Sequence, residues 1–152
     1  MSEGVSIVVG ASGFIGQSIF KELKRLGYNV IGTSTKGDAN ENMLSLDLND
    51  RSSIAKFAEG FEKIDNLIVA AGREPQSSLM QLEEDHFDKM IGIHYAGPLW
   101  LVKQLQAKFS SEASIVFCSS VAAYKGSYDP TYASLKGAVN SLVRTLAREL
   151  AP

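Results

Sequence analysis

Short apolar runs alternate in this sequence with longer stretches in which apolar residues recur every three or four positions. The run Val5–Val9 is mostly apolar and rich in β-branched residues, which predicts a buried strand. A helix is predicted next, with an apolar face whose residues are spaced by four, four and three: Ile15, Ile19, Leu23 and Leu26. A second strand is predicted at 29–33. This order of strand, loop, helix and strand is typical of the opening unit of a dinucleotide-binding fold.

The same alternation continues through the rest of the chain. Further strands are predicted at 43–48, 64–71 and 114–119, and further helices from residue 50 onward, at 85–109 and at 132–150. Pro98 interrupts the long helix. Because proline has no N–H group, the carbonyl of His94 loses its usual donor and a kink is expected there. Strands and helices that alternate throughout predict an α/β fold, a doubly wound parallel sheet with helices on both faces.

Length and composition restrict the classes of function. The length of 152 residues predicts one domain, 1–152, and an apolar content of 45% is enough for a core. The net charge is −2 and no basic tract occurs, which argues against a nucleic-acid partner. No apolar run approaches the ~20 residues of a membrane span, and the N-terminus lacks the basic segment of a signal peptide. A single cysteine, Cys118, excludes an intramolecular disulfide. These features predict a cytoplasmic protein without a membrane partner.

Glycines occupy every third position in the loop between the first strand and the first helix. The N-terminus of a helix offers free N–H groups and a positive dipole end, which together bind a pyrophosphate, and glycine lets the backbone approach it. The residues expected to contact a nucleotide here are Gly10, Ser12, Gly13, Phe14, Ile15 and Gly16. The other interpretation is a tight turn that needs glycine only for its backbone conformation.

The end of the second strand bears on the choice between the two nicotinamide cofactors. A carboxylate there would bind the ribose hydroxyl of NAD and repel the extra phosphate of NADP. This chain has Ser34, Thr35 and Lys36 at that point, without an acidic residue. Hydroxyls and an ammonium group can bind a phosphate, so NADP is predicted and NAD is the alternative. An ordinary polar turn would look the same in sequence.

Tyr132 and Lys136 lie four residues apart, which places both side chains on one face of the last predicted helix. Asp129 is a suitable N-cap for this helix, and Pro130 suits its first position. A nearby ammonium favours the phenolate form of a tyrosine, which can then exchange a proton with an alcohol or carbonyl oxygen. Alone, the pair is also what a packed tyrosine beside a surface lysine would produce.

Five motifs follow one another in a fixed order. They are the glycine loop at 10–16, Asp47-Leu48, Ala71-Gly72, Ser119-Ser120 and Tyr132-x-x-x-Lys136. Each is modest alone, but the ordered set resembles the short-chain dehydrogenase/reductase family from near residue 5 to the end of the chain. The resemblance implies a Rossmann fold with strand order 3-2-1-4-5. It also implies an oxidoreductase that transfers a hydride between NADP(H) and a small carbonyl or alcohol substrate.

The resemblance also implies roles for individual residues. Tyr132 would be the general acid and base and would also contact the cofactor, and Lys136 would assist it and bind the nicotinamide ribose. Ser120 would polarise the substrate oxygen, with Ser119 as the neighbouring alternative. Further cofactor contacts would come from Asp47, on the adenine, and from Leu48, Ala70, Ala71 and Gly72. The helices at 85–109 and 132–150 would form the interface of a homo-oligomer.

Several positions depart from the family pattern. The spacing of the glycines resembles the extended and atypical branches. The usual Asn-Asn-Ala-Gly motif reads Val-Ala-Ala-Gly at 69–72. His94 stands where the family has an asparagine, and it is either a proton-shuttling catalytic residue or a packed histidine. The chain ends at 152, where family members continue, so we expect a C-terminally truncated chain whose fifth strand has an open edge.

Two other functions remain open at this stage. The altered positions 70 and 94 and the short chain would suit an NAD(P)-binding or regulatory module without turnover. The glycine spacing would suit a sugar-nucleotide epimerase-like enzyme. The epimerase-like reading ranks last, because no region is long enough to form a substrate domain.

Overall fold

Five parallel strands form one sheet in the order β3-β2-β1-β4-β5, which confirms the predicted fold class and strand order. The computed structural model describes residues 4–38, 42–73 and 77–151. The strands are β1 (Val5–Val9), β2 (Val30–Ser34), β3 (Met43–Ser45), β4 (Ile64–Val69) and β5 (Phe109–Phe117). The helices are α1 (Phe14–Arg25), α2 (Arg51–Glu59), α3 (Glu84–Ile91), α4 (Gly97–Leu105), α5 (Ala122–Lys125) and α6 (Pro130–Glu149). Short 3-10 turns lie at Leu79–Gln81 and Gln106–Lys108.

The central strand β1 is buried along its whole length and divides the core in two. Because successive side chains of a strand point to opposite faces, Ile7 packs in one apolar cluster and Val8 in the other. The Ile7 cluster includes residues of α2 and α4, and the Val8 cluster includes Phe20 of α1. Helices therefore cover both faces of the sheet, as the alternating pattern predicts.

Local polar residues determine where two of the helices begin. Asp50 accepts a hydrogen bond from the backbone N–H of Ser52 and caps α2. Asp129 accepts one from the backbone N–H of Tyr132 and caps α6, as the sequence predicts. Gly13 is the N-cap of α1, and no side chain in the described part of the chain caps this helix.

The predicted helix at 85–109 is interrupted just before Pro98, where the sequence predicts a kink, but its predicted end at 109 is wrong. The chain forms α3, then a π-helical turn at Gly92–Ala96, then α4. Pro98 cannot donate to His94, and the Gly97 N–H instead bonds to the Gly92 carbonyl, five residues back. At the other end the helix stops before 109, because Phe109 already pairs with Ile64 as the first residue of β5.

Two predicted strands also differ in extent. β5 begins at 109 rather than 114, because Phe109 pairs with Ile64 of β4; the register then shifts, and pairing resumes at Ser114. β3 covers only the first three residues of the predicted 43–48. β5 lies at the end of the described sheet, and Val116 on it is half-exposed. Among the described helices, none combines the length and apolar character required to cross a membrane.

Candidate active site

A cavity of about 180 Å³ opens where β1, β2 and β4 end. The carboxyl ends of parallel strands meet at one edge of a sheet, so loops distant in sequence come together there. The cavity is lined by ten of the predicted cofactor residues: Gly10, Ser12, Gly13, Ser34, Thr35, Asp47, Leu48, Ala70, Ala71 and Gly72. It therefore unites the glycine loop, the tip of β2, the segment after β3 and the end of β4.

Four lining residues were missed by sequence reasoning: Val9, Thr33, Leu46 and Ile93. Val9 ends β1, and Thr33 is the second-last residue of β2. Their position at the strand ends, rather than their side-chain chemistry, is the sequence feature that indicates a place in the cavity wall. Ile93 reaches the cavity because the π-helical turn carries it there. Conversely, six predicted cofactor residues do not line the cavity: Phe14, Ile15, Gly16, Lys36, Tyr132 and Lys136. Phe14 is 92% exposed, and only its backbone belongs to the helix N-terminus.

The glycines of the loop meet different steric demands. Gly10 has φ +82°, and a Cβ atom there would lie 2.6 Å from the Cα atom of Ala71. A Cβ atom on Gly16 would lie 2.2 Å from the Gly10 carbonyl oxygen. At Gly13 the nearest atom would be 3.4 Å away, an ordinary contact. Gly10 and Gly16 thus allow the loop to pack against β4 and α1, while Gly13 leaves the uncapped end of α1 open.

The turn after β2 is held in shape by its own hydroxyl groups. The Ser34 hydroxyl accepts a hydrogen bond from the Gly37 N–H at 2.9 Å, and the Ser45 hydroxyl donates to the Thr35 carbonyl at 2.8 Å. Lys36 is exposed next to this turn. The Asp47 carboxylate accepts from the Asn49 N–H at 2.9 Å, which orients the carboxylate at the cavity wall.

Lys136 is a buried cation beside Tyr132. Its side chain is 6% exposed, and its Nζ donates a hydrogen bond to the Cys118 carbonyl at 2.9 Å. The same Nζ lies 5.7 Å from the centre of the Tyr132 ring. Burial lowers the pKa of Lys136, because the charged form is poorly solvated there. The carbonyl at the end of β5 thus anchors the ammonium close to the phenol.

The two serines after β5 use their hydroxyl groups differently. Ser119 donates its proton toward the Lys136 carbonyl, at 3.4 Å. The Ser120 hydroxyl accepts from the Ala122 N–H at 3.2 Å, a bond that does not use its proton. Ser120 is half-buried. Of the two, Ser120 has the hydrogen-bonding arrangement suited to donating to a substrate oxygen.

His94 lies at the junction of the cavity and the tyrosine. Its side chain is 3% exposed, and its ring meets that of Tyr132 edge-on with 5.5 Å between centroids. Nε2 lies 3.1 Å from the Arg73 nitrogen and 3.0 Å from the Arg73 oxygen, so one tautomer accepts and the other donates. Nδ1 is buried and has no hydrogen-bond partner within the described chain. Gly72 must lack a side chain, because a Cβ atom there would lie 2.7 Å from His94 Cε1.

The surroundings of His94 favour the neutral imidazole. Burial lowers its pKa to about 4, and the nearby ammonium of Lys136 acts in the same direction. At neutral pH the ring is therefore uncharged. It can hold the backbone at the end of β4 and offer Nδ1 as a neutral hydrogen-bonding atom, but it does not readily take up a proton.

A family model described as short chain dehydrogenase matches residues 4–152. The chain belongs to the short-chain dehydrogenase family. The family resemblance of the sequence motifs is therefore confirmed, and the cavity lies at the cofactor edge expected for a Rossmann fold.

Several short-chain dehydrogenases resemble this chain over nearly its whole length. An uncharacterized oxidoreductase of Bacillus subtilis is 28% identical, covering 97% of this chain and 69% of its own. A 3-oxoacyl-acyl-carrier-protein reductase of Salmonella typhimurium is 27% identical, covering 97% of this chain and 67% of its own. The crystal structure of a short-chain dehydrogenase of the glucose/ribitol dehydrogenase type from Brucella melitensis superposes with a TM-score of 0.90 at 26% identity, covering 99% of this chain and 71% of that one. The chain thus spans about two thirds of the length of these short-chain dehydrogenases.

The low pKa of His94 predicts a pH dependence of folding stability. An unfolded histidine titrates near ~6.5, whereas the folded one titrates near 4. Between these pH values the unfolded chain binds more protons than the folded chain. The contribution of the neutral His94 to the free energy of unfolding is therefore complete above pH ~6.5 and is lost as the pH falls toward 4. Because asparagine does not titrate, His94→Asn should reduce the fall in the free energy of unfolding between pH ~6.5 and 4 by up to about 3 kcal/mol.

Urea unfolding at several pH values between 4 and 7 measures this slope for both proteins. The comparison uses the slopes, because the substitution also changes packing. Parallel stability curves for the wild type and His94→Asn would contradict the prediction.

Proposed function

We propose that this chain carries the cofactor-binding and proton-transfer parts of an oxidoreductase that transfers a hydride between NADP(H) and a carbonyl or alcohol substrate. The observation that carries the proposal is the contact between the cavity wall and Tyr132 through His94: Gly72 lines the cavity and lies against the His94 ring, which meets the Tyr132 ring edge-on. The Lys136 ammonium, bound to the Cys118 carbonyl, lies 5.7 Å from the centre of the same Tyr132 ring. The relatives that are named as oxidoreductases support it.

The residues at this edge fit a nicotinamide dinucleotide. Gly10 and Gly13 line the cavity with backbone alone, and the N-terminus of α1 has no side-chain cap in the described chain. The backbone at 13–16 would hold the pyrophosphate, Asp47 would contact the adenine, and 70–72 would line the path toward the nicotinamide. When bound, the cofactor supplies the hydride, and the chain supplies position and electrostatics.

Tyr132 would give its phenolic proton to the carbonyl oxygen during reduction and take it back during alcohol oxidation. The Lys136 ammonium, fixed on the Cys118 carbonyl, would stabilise the negative charge that forms on the phenolic oxygen. Ser120 would donate its hydroxyl proton to the substrate oxygen and so orient it. The neutral His94 would act as a positioning residue that holds the Arg73 backbone and the Tyr132 ring.

Removing the phenolic hydroxyl tests this mechanism. Tyr132→Phe should lower the turnover of carbonyl substrates by at least ~100-fold, because the proton donor is lost. NADPH affinity should remain within about twofold, because the glycine loop is untouched. The measurements are NADPH oxidation with a panel of ketones and aldehydes, and a fluorescence titration with NADPH. Tyr124→Phe removes an exposed tyrosine hydroxyl as the matched control. Wild-type turnover in Tyr132→Phe would refute the assigned role.

A second candidate is an NAD(P)-binding module without turnover. The apolar end of β4 favours it, because Ala70 and Ala71 offer the cofactor no side-chain amide. The same titration separates the two functions. Tight NADPH binding by the wild type without oxidation by any carbonyl compound in the panel would favour the module.

The turn at 34–36 supports the choice of NADP over NAD. Ser34 and Thr35 line the cavity and Lys36 is exposed beside them, so a ribose phosphate would meet two hydroxyls and an ammonium. Lys36→Ala should weaken NADPH binding by roughly fivefold and leave NADH binding unchanged, as expected for one exposed charge pair of about 1 kcal/mol. Lys63→Ala, an exposed lysine before β4 at the opposite edge, is the charge-matched control. Equal losses for both cofactors would argue against a phosphate contact at Lys36.

We also propose a cytoplasmic homo-oligomer built from one domain per chain, with α3, α4 and α6 at the interface. Trp100 on α4 supports an interface there, because it is partly exposed and lies between the cations of Arg51 and Lys103. Aromatic residues and arginine are both enriched at protein interfaces. Light scattering at micromolar concentration should give at least twice the monomer mass, and Trp100→Glu should lower that mass. A monomeric wild type would overturn this prediction.

A further inference from the structure

Asp129 is a completely buried carboxylate, with 0% of its surface exposed. Its Oδ1 accepts a hydrogen bond from the Tyr132 N–H at 2.9 Å. Its Oδ2 accepts one from the Ser77 N–H at 3.2 Å, across 52 residues of sequence. The Nε2 atom of His86 on α3 lies 3.7 Å from the same Oδ2. One side chain therefore contacts three separate segments of the chain.

Capping α6 does not by itself require a buried charge. Serine and asparagine cap helices about as well as aspartate, and a charge removed from water is costly unless it is paired and hydrogen-bonded. The negative charge is stabilised here by the positive end of α6 and by the Ser77 N–H, which donates to the second oxygen. That second oxygen has no role in capping. It binds Ser77 and faces His86.

The segment bound by the second oxygen is itself a closed turn. The Ser77 hydroxyl donates to the Gln81 carbonyl at 2.8 Å, and the Ser78 hydroxyl donates to the Gln81 side-chain oxygen at 2.9 Å. These two hydrogen bonds join the start of the turn to its last residue. Because Ser77 is one end of it, Asp129 fixes the whole turn at 77–81 against the start of α6.

Tyr132 depends on this arrangement more than Lys136 does. Tyr132 is the third residue of α6, and the N–H groups in a first turn have no partner inside the helix. Helix ends also open more readily than helix centres. Lys136 lies one turn further on and has its own anchor at the Cys118 carbonyl. Loss of the Asp129 side chain would thus make the Tyr132 hydroxyl less well fixed, while the Lys136 ammonium would stay in place.

We propose that Asp129 is a positioning residue for the reaction: it fixes the Tyr132 hydroxyl by joining the first turn of α6 to the turn at 77–81 and to α3. The proposal rests on the role of Tyr132 in the proposed function. It goes beyond helix capping, because it assigns the second carboxylate oxygen the role of holding the turn at 77–81 against the first turn of α6.

Two substitutions separate the two oxygens. Asp129→Ala removes both hydrogen bonds. Asp129→Asn keeps an oxygen for the Tyr132 N–H, but its NH2 group cannot accept from the Ser77 N–H. Asp50→Ala removes the cap of α2 and serves as the matched control for the loss of a helix cap away from Tyr132.

The readouts are kcat, the KM for NADPH, the melting temperature, and the amide hydrogen exchange of residues 77 and 132 by NMR. Asp129→Ala should lower kcat by ~10- to 100-fold, the range expected when a reacting group is misplaced by up to about 1 Å. Its KM for NADPH should stay within about twofold, because the cofactor loop is distant in the chain and separately held. Exchange should accelerate at both amides. Asp50→Ala should keep the wild-type kcat.

Asp129→Asn should give a kcat between those of the wild type and Asp129→Ala. Its exchange should accelerate at Ser77 and remain slow at Tyr132. This variant keeps the proposal testable if Asp129→Ala does not fold. A wild-type kcat in both Asp129 variants, with a lower melting temperature as in Asp50→Ala, would show that Asp129 is only a helix cap and would overturn the proposal.

The exchange data distinguish failure of this proposal from failure of the proposed function. If the wild type turns over no carbonyl compound, the proposed reaction fails. Unchanged exchange at Ser77 and Tyr132 in Asp129→Ala would then overturn the positioning role as well. Faster exchange at both amides in Asp129→Ala, but not in Asp50→Ala, would support the coupling of the turn at 77–81 to Tyr132.

Discussion

The complete burial of β1 is the constraint on which the rest of the structure depends. β2 and β4 flank β1 in the sheet, and helices cover both faces, so β1 reaches the cavity only at its carboxyl end. There the backbone passes so close to Ala71 that only glycine fits at position 10. The Gly10 N–H donates to the Thr33 hydroxyl at 3.1 Å, so the same residue also ties the loop to β2. The cavity exists because three strand ends are drawn together here.

Most of this architecture could be predicted from local patterns. Periodicity predicts the order of elements, and Asp129 with Pro130 marks the start of α6. The parts that could not be predicted depend on contacts distant in sequence. β5 begins at Phe109 because that residue pairs with Ile64 of β4, which is distant in sequence. The effect of Pro98 is a π-helical turn, and Gly97 within this region packs against Leu48, where a Cβ atom would lie 2.3 Å from the carbonyl oxygen.

The candidate site shows the same division. Residue types and spacing predicted Ser120, Tyr132, Lys136 and the glycine loop, because each follows a strand or begins a helix. They did not predict that the Cys118 carbonyl anchors Lys136, that His94 is held neutral, or that Ser77 meets Asp129. These three features depend on backbone groups and on burial, which do not restrict the residue types at neighbouring positions in the sequence. Assigning residues to a site is therefore easier from sequence than assigning the charge state in which they work.

The three glycines at 10, 13 and 16 are equally spaced in sequence, but they differ in whether the fold has room for a side chain. At 10 and 16 a methyl group would collide with backbone atoms, so folding alone excludes alanine. At 13 a methyl group meets nothing closer than 3.4 Å, and the backbone is in an ordinary extended conformation. Selection for a folded protein would tolerate substitution at 13, whereas selection for an open helix end would not. Sequence drift at this one position could then distinguish lineages that retain the binding function from lineages that retain only the fold.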